Sequence, residues 1–345
     1  MQSINYQNRE LDESEQTIAI KYNKEGILPG PTKYKWCGVL LYNQKDRANK
    51  TSGVCFRCSN HVWRIKYPIR VDSVFENFPF FKIQDIIEII YAFLCLEKNA
   101  QNAHKYLKEN KNIIIIKHTL LKIYAELRDI IYKYMKIVYR SEMINLTDNR
   151  EYFSVDESLI SHKHNKQIWL IGIINNITKD FRFEGTLTRD SDILKNFIIK
   201  YVGKGNTIIS DGWADYGFLN SPNSGYSHIT HIHLGGSFGF GVESTSHIEE
   251  IWNIIKGSIK TIYHFIPSTH VMHFVREAEY RYKIRDKTEN EKIKDLIECY
   301  QLILNTSDSG VLKSEFLIDI EDNDYDGRFR KFGLKFIKLI LINLF

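Results

Sequence analysis

The sequence predicts an α/β fold: a mixed sheet flanked by helices, preceded by a small cysteine-bearing segment and a basic helical region. Three observations carry that expectation. The apolar period changes from helical to strand-like at Glu151, two predicted strands run into Asp156 and Asp211, and a long amphipathic helix brings Glu249 and Lys256 into the same region.

Taken in order, residues 1–32 read as a polar, partly flexible lead-in that ends at Pro29-Gly30-Pro31. Residues 33–75 are short runs with turn residues and three cysteines, Cys37, Cys55 and Cys58. Cys55-Phe56-Arg57-Cys58 is half of a zinc-ribbon-like site, to which Cys37 and His61 could add a third and fourth ligand. The pattern is degenerate, because Tyr34 stands three residues before Cys37; a metal-free cysteine cluster is the competing reading. Residues 76–145 form the helical region. Ile83, Ile86, Ile87, Ile90 and Leu94 recur at helical spacing within 82–96, and further helices follow around 100–109 and 117–139, with a turn at Asn110-Lys111-Asn112. Three short helices with a basic surface suit a helix-turn-helix unit or an ordinary bundle.

Strands are expected at Tyr152–Val155, Ile168–Ile174 and Phe181–Leu187, with turns at Asn165 and Asn175-Asn176. A helix from Asp190 or Ser191 to Val202 follows. Next come a strand at Thr207–Ser210, a short helix near Trp213–Leu219, a strand near His228–His233 and the helix Ser246–Tyr263. A three-strand meander followed by alternating helices and strands is the order of an RNase H-like domain, here 146–285. Such a domain sets carboxylates from its first and fourth strands side by side. Residues 286–345 read as a polar helical extension without a motif. Its tail, Lys331 to Phe345, is apolar but interrupted by Lys335 and Lys338 and too short to span a bilayer.

At 345 residues and 43% hydrophobic, the chain can bury a sizeable core. Its net charge of +5 is unevenly spread: 33–140 holds 20 Lys/Arg against 9 Asp/Glu, and 141–285 holds 15 against 16. That asymmetry suggests a half that grips DNA beside a half that does chemistry, although solvated basic helices would look the same. Five cysteines in a chain this long do not make a disulfide framework, and Met1 to Glu15 is polar and acidic, unlike a signal peptide. No membrane partner and an intracellular setting, nuclear in a eukaryote, are expected.

Asp156, Asp211 and Glu249 each have an ordinary explanation. Asp is common at strand ends, Asp211-Gly212 is a turn pair, and Ser246 with Glu249 has capping-box spacing. Together, two strand-borne carboxylates and one from a helix suit a cluster for two hard divalent cations, Mg²⁺ or Mn²⁺. Clustered carboxylates would otherwise repel one another and resist ionisation. The stripe Ile248, Ile251, Ile255, Ile259 and Ile262 should pack on the sheet, and Trp252 reads as core. Seven residues of helix bring Lys256 to within roughly 20° of Glu249, where it could contact a phosphate backbone. His228, His231 and His233 invite a zinc reading, but alternation of 231 and 233 along a strand favours a pair facing DNA or core, with a role near the cations the lesser alternative for His233.

The blocks Val155-Asp156-Glu157, Ile208-Ile209-Ser210-Asp211-Gly212-Trp213-Ala214-Asp215-Tyr216 and Ile248-Glu249-Glu250-Ile251-Trp252-Asn253-Ile254-Ile255-Lys256 resemble Merlin-type DDE transposases and their bacterial insertion-sequence relatives. Gly225-Tyr226-Ser227-His228 with His233, and Cys55-x-x-Cys58 followed by Ile69 to Phe75, extend the resemblance over roughly residues 25–285. It departs where the family often has Asn at Ser246 and Gly at Glu250. The resemblance implies a DNA transposase that cleaves at terminal inverted repeats and transfers the ends into target DNA. Asp156, Asp211 and Glu249 would be its acidic residues and Lys256 its basic helix residue, in a homodimer or larger assembly. A transposase-derived DNA-binding protein without catalysis, or a metal-dependent nuclease without strand transfer, are the competing readings.

Overall fold

The computed structural model describes residues 15–28, 42–45, 54–60, 66–70, 73–78, 81–141, 151–163, 166–231, 241–263 and 271–308. By contacts the chain divides into a unit 1–306 and a unit 307–345.

Helix α1, Glu15–Lys24, occupies part of the expected lead-in. These residues are not a loose leader: Tyr22, Ile27 and Leu28 are buried, and the Tyr22 hydroxyl donates to Gln84 at 2.5 Å. Strands β1 (Tyr42–Lys45), β2 (Val54–Arg57) and β3 (Lys66–Pro68) form an antiparallel sheet. Helices α2 (Ile83–Leu94), α3 (Ala100–Lys111) and α4 (Lys117–Ser141) follow. The Asn99 side chain caps α3 by accepting from the Asn102 amide at 2.9 Å. Asn112 ends the helix with φ 54°, a left-handed conformation that asparagine tolerates.

The second sheet holds β4 (Tyr152–Lys163), β5 (Lys166–Asn175), β6 (Phe181–Thr186), β7 (Thr207–Asp211) and β8 (Ser227–His231), in spatial order β6-β5-β4-β7-β8. The first three are an antiparallel meander, and β7 and β8 join parallel to β4. Helix α5, Ser191–Tyr201, begins at Asp190, whose side chain accepts from the Ile193 amide. It packs Leu194, Phe197 and Ile198 on the face that carries Phe153, Val155, Ile171 and Ile173. Helices α6 (Ser246–Tyr263) and α7 (Val271–Lys283) cover the other face. There Ile248, Ile251, Trp252, Ile255 and Ile259 meet Leu170, Ile174, Phe181 and Phe183. The result is a mixed α/β sheet with flanking helices, and α8 (Glu289–Asp308) closes the unit.

Alternation along β4 explains the two faces: Phe153, Val155 and Glu157 point one way, Ser154 and Asp156 the other. Gly172, opposite Asp156 on β5, leaves room for an indole. A Cβ there would lie 2.6 Å from Phe183 and 2.7 Å from Trp252, whose rings stack at 4.4 Å between centroids.

Helix α7 joins the helical region to this sheet through charge. Glu277, 1% exposed, accepts from Arg281, Arg128 and Tyr263. Arg281 also caps α2, donating to the carbonyls of Phe93 and Leu94. Burial opposes the Glu277 charge, but Arg281 and Arg128 outweigh it and hold the carboxyl below its ordinary range.

Gly172→Ala is expected to destabilise the protein by about 1–3 kcal/mol, because both rings the new methyl meets are held by packing on all sides. Denaturant unfolding with an unchanged slope would measure it. A loss within error of zero would mean that Trp252 is free to shift.

Candidate active site

Parallel pairing between β4 and β7 aligns Tyr152 with Thr207, Phe153 with Ile208 and Ser154 with Ile209. Carried two residues further, the same register sets Asp156 beside Asp211, both on the α6 face. Asp211 closes β7 as expected, but Asp156 does not close its strand. β4 continues to Lys163 because its antiparallel partner β5 runs on beside it, while β7 stops at Asp211. Asp156 therefore stands level with the end of its parallel neighbour.

Two N–H donors fix these carboxylates. The Trp252 indole, from α6, donates to Asp156 Oδ2 at 2.9 Å, and the Trp213 amide donates to Asp211 Oδ1 at 3.0 Å. Trp252 is thus more than the core residue the sequence suggests. It packs over Gly172 and also positions Asp156, across 96 positions of chain. No local spacing signals such a pair.

Burial pushes the Asp156 carboxyl up to about 6; the Trp252 indole and the Glu157 amide pull against that rise, and the charges of Asp211 and Glu249 add to it. Lys256 is half-buried, which holds it below the ordinary lysine range, while Asp156 counteracts the shift. Asp156 thus lies within the fields of Asp211, Glu249 and Lys256. Among the described residues, no three His, Cys, Asp or Glu side chains stand close enough to hold a metal ion as placed. The carboxylates around Asp156 offer oxygen donors, which would suit a hard divalent cation able to relieve their mutual repulsion.

Glu249 has no capping box with Ser246. The Thr245 carbonyl receives the Ile248 and Glu249 amides, so Ser246 already lies within the helix, and its hydroxyl meets Ser244 Oγ at 2.7 Å. The box fails because the helix begins one residue earlier than its spacing requires.

The histidines are engaged elsewhere. His228 shares hydrogen bonds with Ser210 Oγ at 2.9 Å and Asn220 Oδ1 at 2.8 Å, and burial lowers its pKa. His231, beside Asp211 on β8, meets the Glu243 carbonyl at 2.6 Å. His233 lies outside the described residues, as do Cys37 and His61 of the expected zinc set. Cys55 and Cys58 are buried, and neither is in a disulfide.

A group absent from the sequence reading lies on the other face of β4. Glu157 accepts from the Tyr216 hydroxyl and pairs with Arg189 at 3.6 Å. Burial raises its carboxyl to about 7; the Tyr216 bond opposes this, and the charges of Asp156 and Asp211 reinforce it. The strand-alternation signal alone, two consecutive carboxylates at 156 and 157, could have flagged that they part to opposite faces.

A mixed α/β domain with aspartates on adjacent parallel strands, one inside β4 and one closing β7, and a glutamate and lysine on an overlying helix is the class that this geometry defines. Residues 154–283 match the model of the ISXO2-like transposase domain. None of the curated proteins matches the chain. Among solved structures it is similar to a chain of the simian T-cell lymphotropic virus intasome in complex with the PP2A regulatory subunit B56 gamma. The identity is 14%, the coverage 39% of this chain and 49% of that one, and the TM-score 0.29. The chain thus spans about half the length of that intasome chain. It is also similar to the HTLV-2 integrase catalytic core domain in complex with magnesium, in a dimeric form (11% identity, 40% and 88% covered, TM-score 0.29) and a trimeric form (11%, 44% and 84%, TM-score 0.25).

Because the Asp156 carboxyl is raised above its ordinary value, it is mostly protonated at about pH 5 and mostly ionised at about pH 7.5, where it costs the fold stability. Mg²⁺ or Mn²⁺ should therefore raise Tm more at the higher pH. An equal rise at both values would show that the carboxylates do not share a cation. Trp252→Phe keeps the stack but removes the N–H, so the Asp156 pKa should climb further in a carboxylate NMR titration.

Proposed function

We propose that the chain is a DDE-type DNA transposase, which cleaves phosphodiesters at the inverted repeats of a mobile element and joins the freed ends to target DNA. The observation that carries this reading is the side-by-side register of Asp156 and Asp211 under α6, inside the segment that matches a transposase domain. The finer assignment to Merlin-type enzymes rests on the motifs of the sequence.

In this reading Asp156, Asp211 and Glu249 hold two divalent cations, Mg²⁺ or Mn²⁺. When bound, these supply charge stabilisation at the attacking and leaving oxygens of the phosphodiester. The protein's own part is placement. Trp252 and the Trp213 amide orient the two aspartates, and Lys256 offers its ammonium to a phosphate next to the one being cleaved. Burial lowers the Lys256 pKa, and the Asp156 charge acts against that shift. The basic 33–140 region grips DNA. A zinc site of Cys37, Cys55, Cys58 and His61 belongs to the same proposal, as does assembly of two or more copies to bring two DNA ends together.

Asp156→Asn, Asp211→Asn and Glu249→Gln should each lower cleavage of repeat-bearing DNA by at least about a hundredfold, the scale of removing one charge-stabilising group from an active site. DNA binding in a gel-shift assay should persist. Glu250→Gln is the control: Glu250 is exposed and sits in the field of Lys179. Loss on Glu250→Gln with full activity in Glu249→Gln would move the third acidic position by one residue. Binding without cleavage by the native chain would favour a DNA-binding derivative, and cleavage without joining a nuclease.

Binding by the whole chain should weaken steeply with salt, log K falling by about 0.9 for each phosphate contact per decade of salt. A flat response would remove the basic region as the main grip.

A further inference from the structure

The turn after β7 carries a stacked group that the acidic site does not use. The Arg189 guanidinium lies between two tryptophan rings, 4.1 Å from the Trp169 centroid and 4.3 Å from that of Trp213. Arg189 is held from below by Glu157, and Glu157 by the Tyr216 hydroxyl. Trp213 is tied at both ends: its amide donates to Asp211 and its indole N–H donates to Asp215 Oδ2 at 2.7 Å. The ring cannot easily turn away, yet it stays 41% exposed, and Leu159, the cross-strand partner of Trp169, is 39% exposed.

Burying that ring would have been the ordinary solution for a tryptophan this well anchored. Fixing it in the open instead, over a cation and two residues from Asp211, suits a flat aromatic ligand joined to an anion. A nucleotide fits that description. Its base can stack on the indole whatever its identity, and its phosphate complements the guanidinium.

We infer that Trp169, Arg189 and Trp213 form a stacking platform for an unpaired nucleotide of the DNA strand that enters the acidic site. The inference rests on the reading of the chain as a DNA-processing enzyme and names the state of its substrate: a strand end unpaired next to the reacting phosphate. The tether from Trp213 to Asp211 is the register device, because a base seated on the indole sets the following phosphate at the carboxylates.

The test measures affinity of the whole chain for a DNA duplex with a three-nucleotide single-stranded overhang, in EDTA, with the overhang bases present or replaced by abasic sugars. The phosphates are identical in the two probes, so their difference reports stacking alone. The native protein should bind the intact overhang at least about fivefold more tightly. Trp213→Ala should erase the preference, Trp213→Phe should restore most of it, and Arg189→Ala should weaken it. Equal binding of both probes by the native protein would overturn the proposal. So would an undiminished preference in a folded Trp213→Ala. If Trp213→Ala fails to fold, the native comparison and Trp213→Phe still decide. Since no cation is present, the outcome is independent of cleavage: inactive platform variants with intact discrimination, or active Asp156→Asn, would count against different claims.

Discussion

Parallel pairing of β4 with β7 sets the height at which two aspartates stand, and the chemistry proposed for this chain depends on that height. Because side chains alternate along a strand, a slip of one residue would turn Asp211 toward α5 and leave Asp156 with the Trp252 indole alone. The register is protected by what lies on either face. Phe153, Val155 and Ile208 are buried under α5, and the Ser154 hydroxyl bonds the Ser244 carbonyl just ahead of α6. Asn176 reaches the same Ser154 oxygen and the Val242 and Ser244 carbonyls, which ties the loop after β5 to the loop before α6. The helix that brings Glu249 and Lys256 is thereby anchored to the strand that brings Asp156.

The second constraint is the buried charge on α7. Replacing Glu277, Arg281 and Arg128 with apolar residues of similar volume would be neutral or stabilising in many proteins, so their presence is not explained by stability alone. Their geometry offers a reason. Arg281 completes the end of α2 and pairs with Glu277, and Glu277 also receives Arg128 from α4 and Tyr263 from α6. One carboxylate thus joins the basic helices to the helix of the acidic site. An apolar contact would tolerate sliding between these elements, whereas breaking one charged partner leaves the rest buried and uncompensated.

Much of this was legible beforehand, and the failures have physical causes. The isoleucine stripe gave α6 its limits because its apolar face and its helical period coincide. The five strands were found in order, since turns and alternation mark each of them. Asp156 was misread as a strand terminus because the apolar run ends at Val155, while β4 continues through the carboxylates Asp156 and Glu157. The capping box was misread because its spacing is necessary but not sufficient: Ser246 is already the first residue of α6 and not its cap. Helix α7 was missed entirely. Its buried face includes Arg276, Glu277, Glu279 and Arg281, which pattern reading assigns to solvent. The site followed the same division. Residue type and order singled out Asp156, Asp211, Glu249 and Lys256 as candidates, but the Trp252 bond to Asp156 and the role of Gly172 exist only once β5 and α6 are laid together.

Consecutive carboxylates at 156 and 157 show how one strand serves two purposes. Both are largely removed from water and both are raised, yet their partners differ in kind. Asp156 faces Asp211 and Glu249, charges of its own sign, with a neutral indole as its donor. Glu157 faces Arg189 and a tyrosine hydroxyl. On the first face Lys256 is the cation that the chain supplies to Asp156, and in the proposed reading divalent cations would relieve the repulsion among the carboxylates. On the second face the charge is already answered by Arg189, and what remains exposed is the aromatic pair on either side of it. A backbone alternation of two residues therefore separates a face that would take metal from one that would take a base, with the Asp211–Trp213 turn as the covalent link between them.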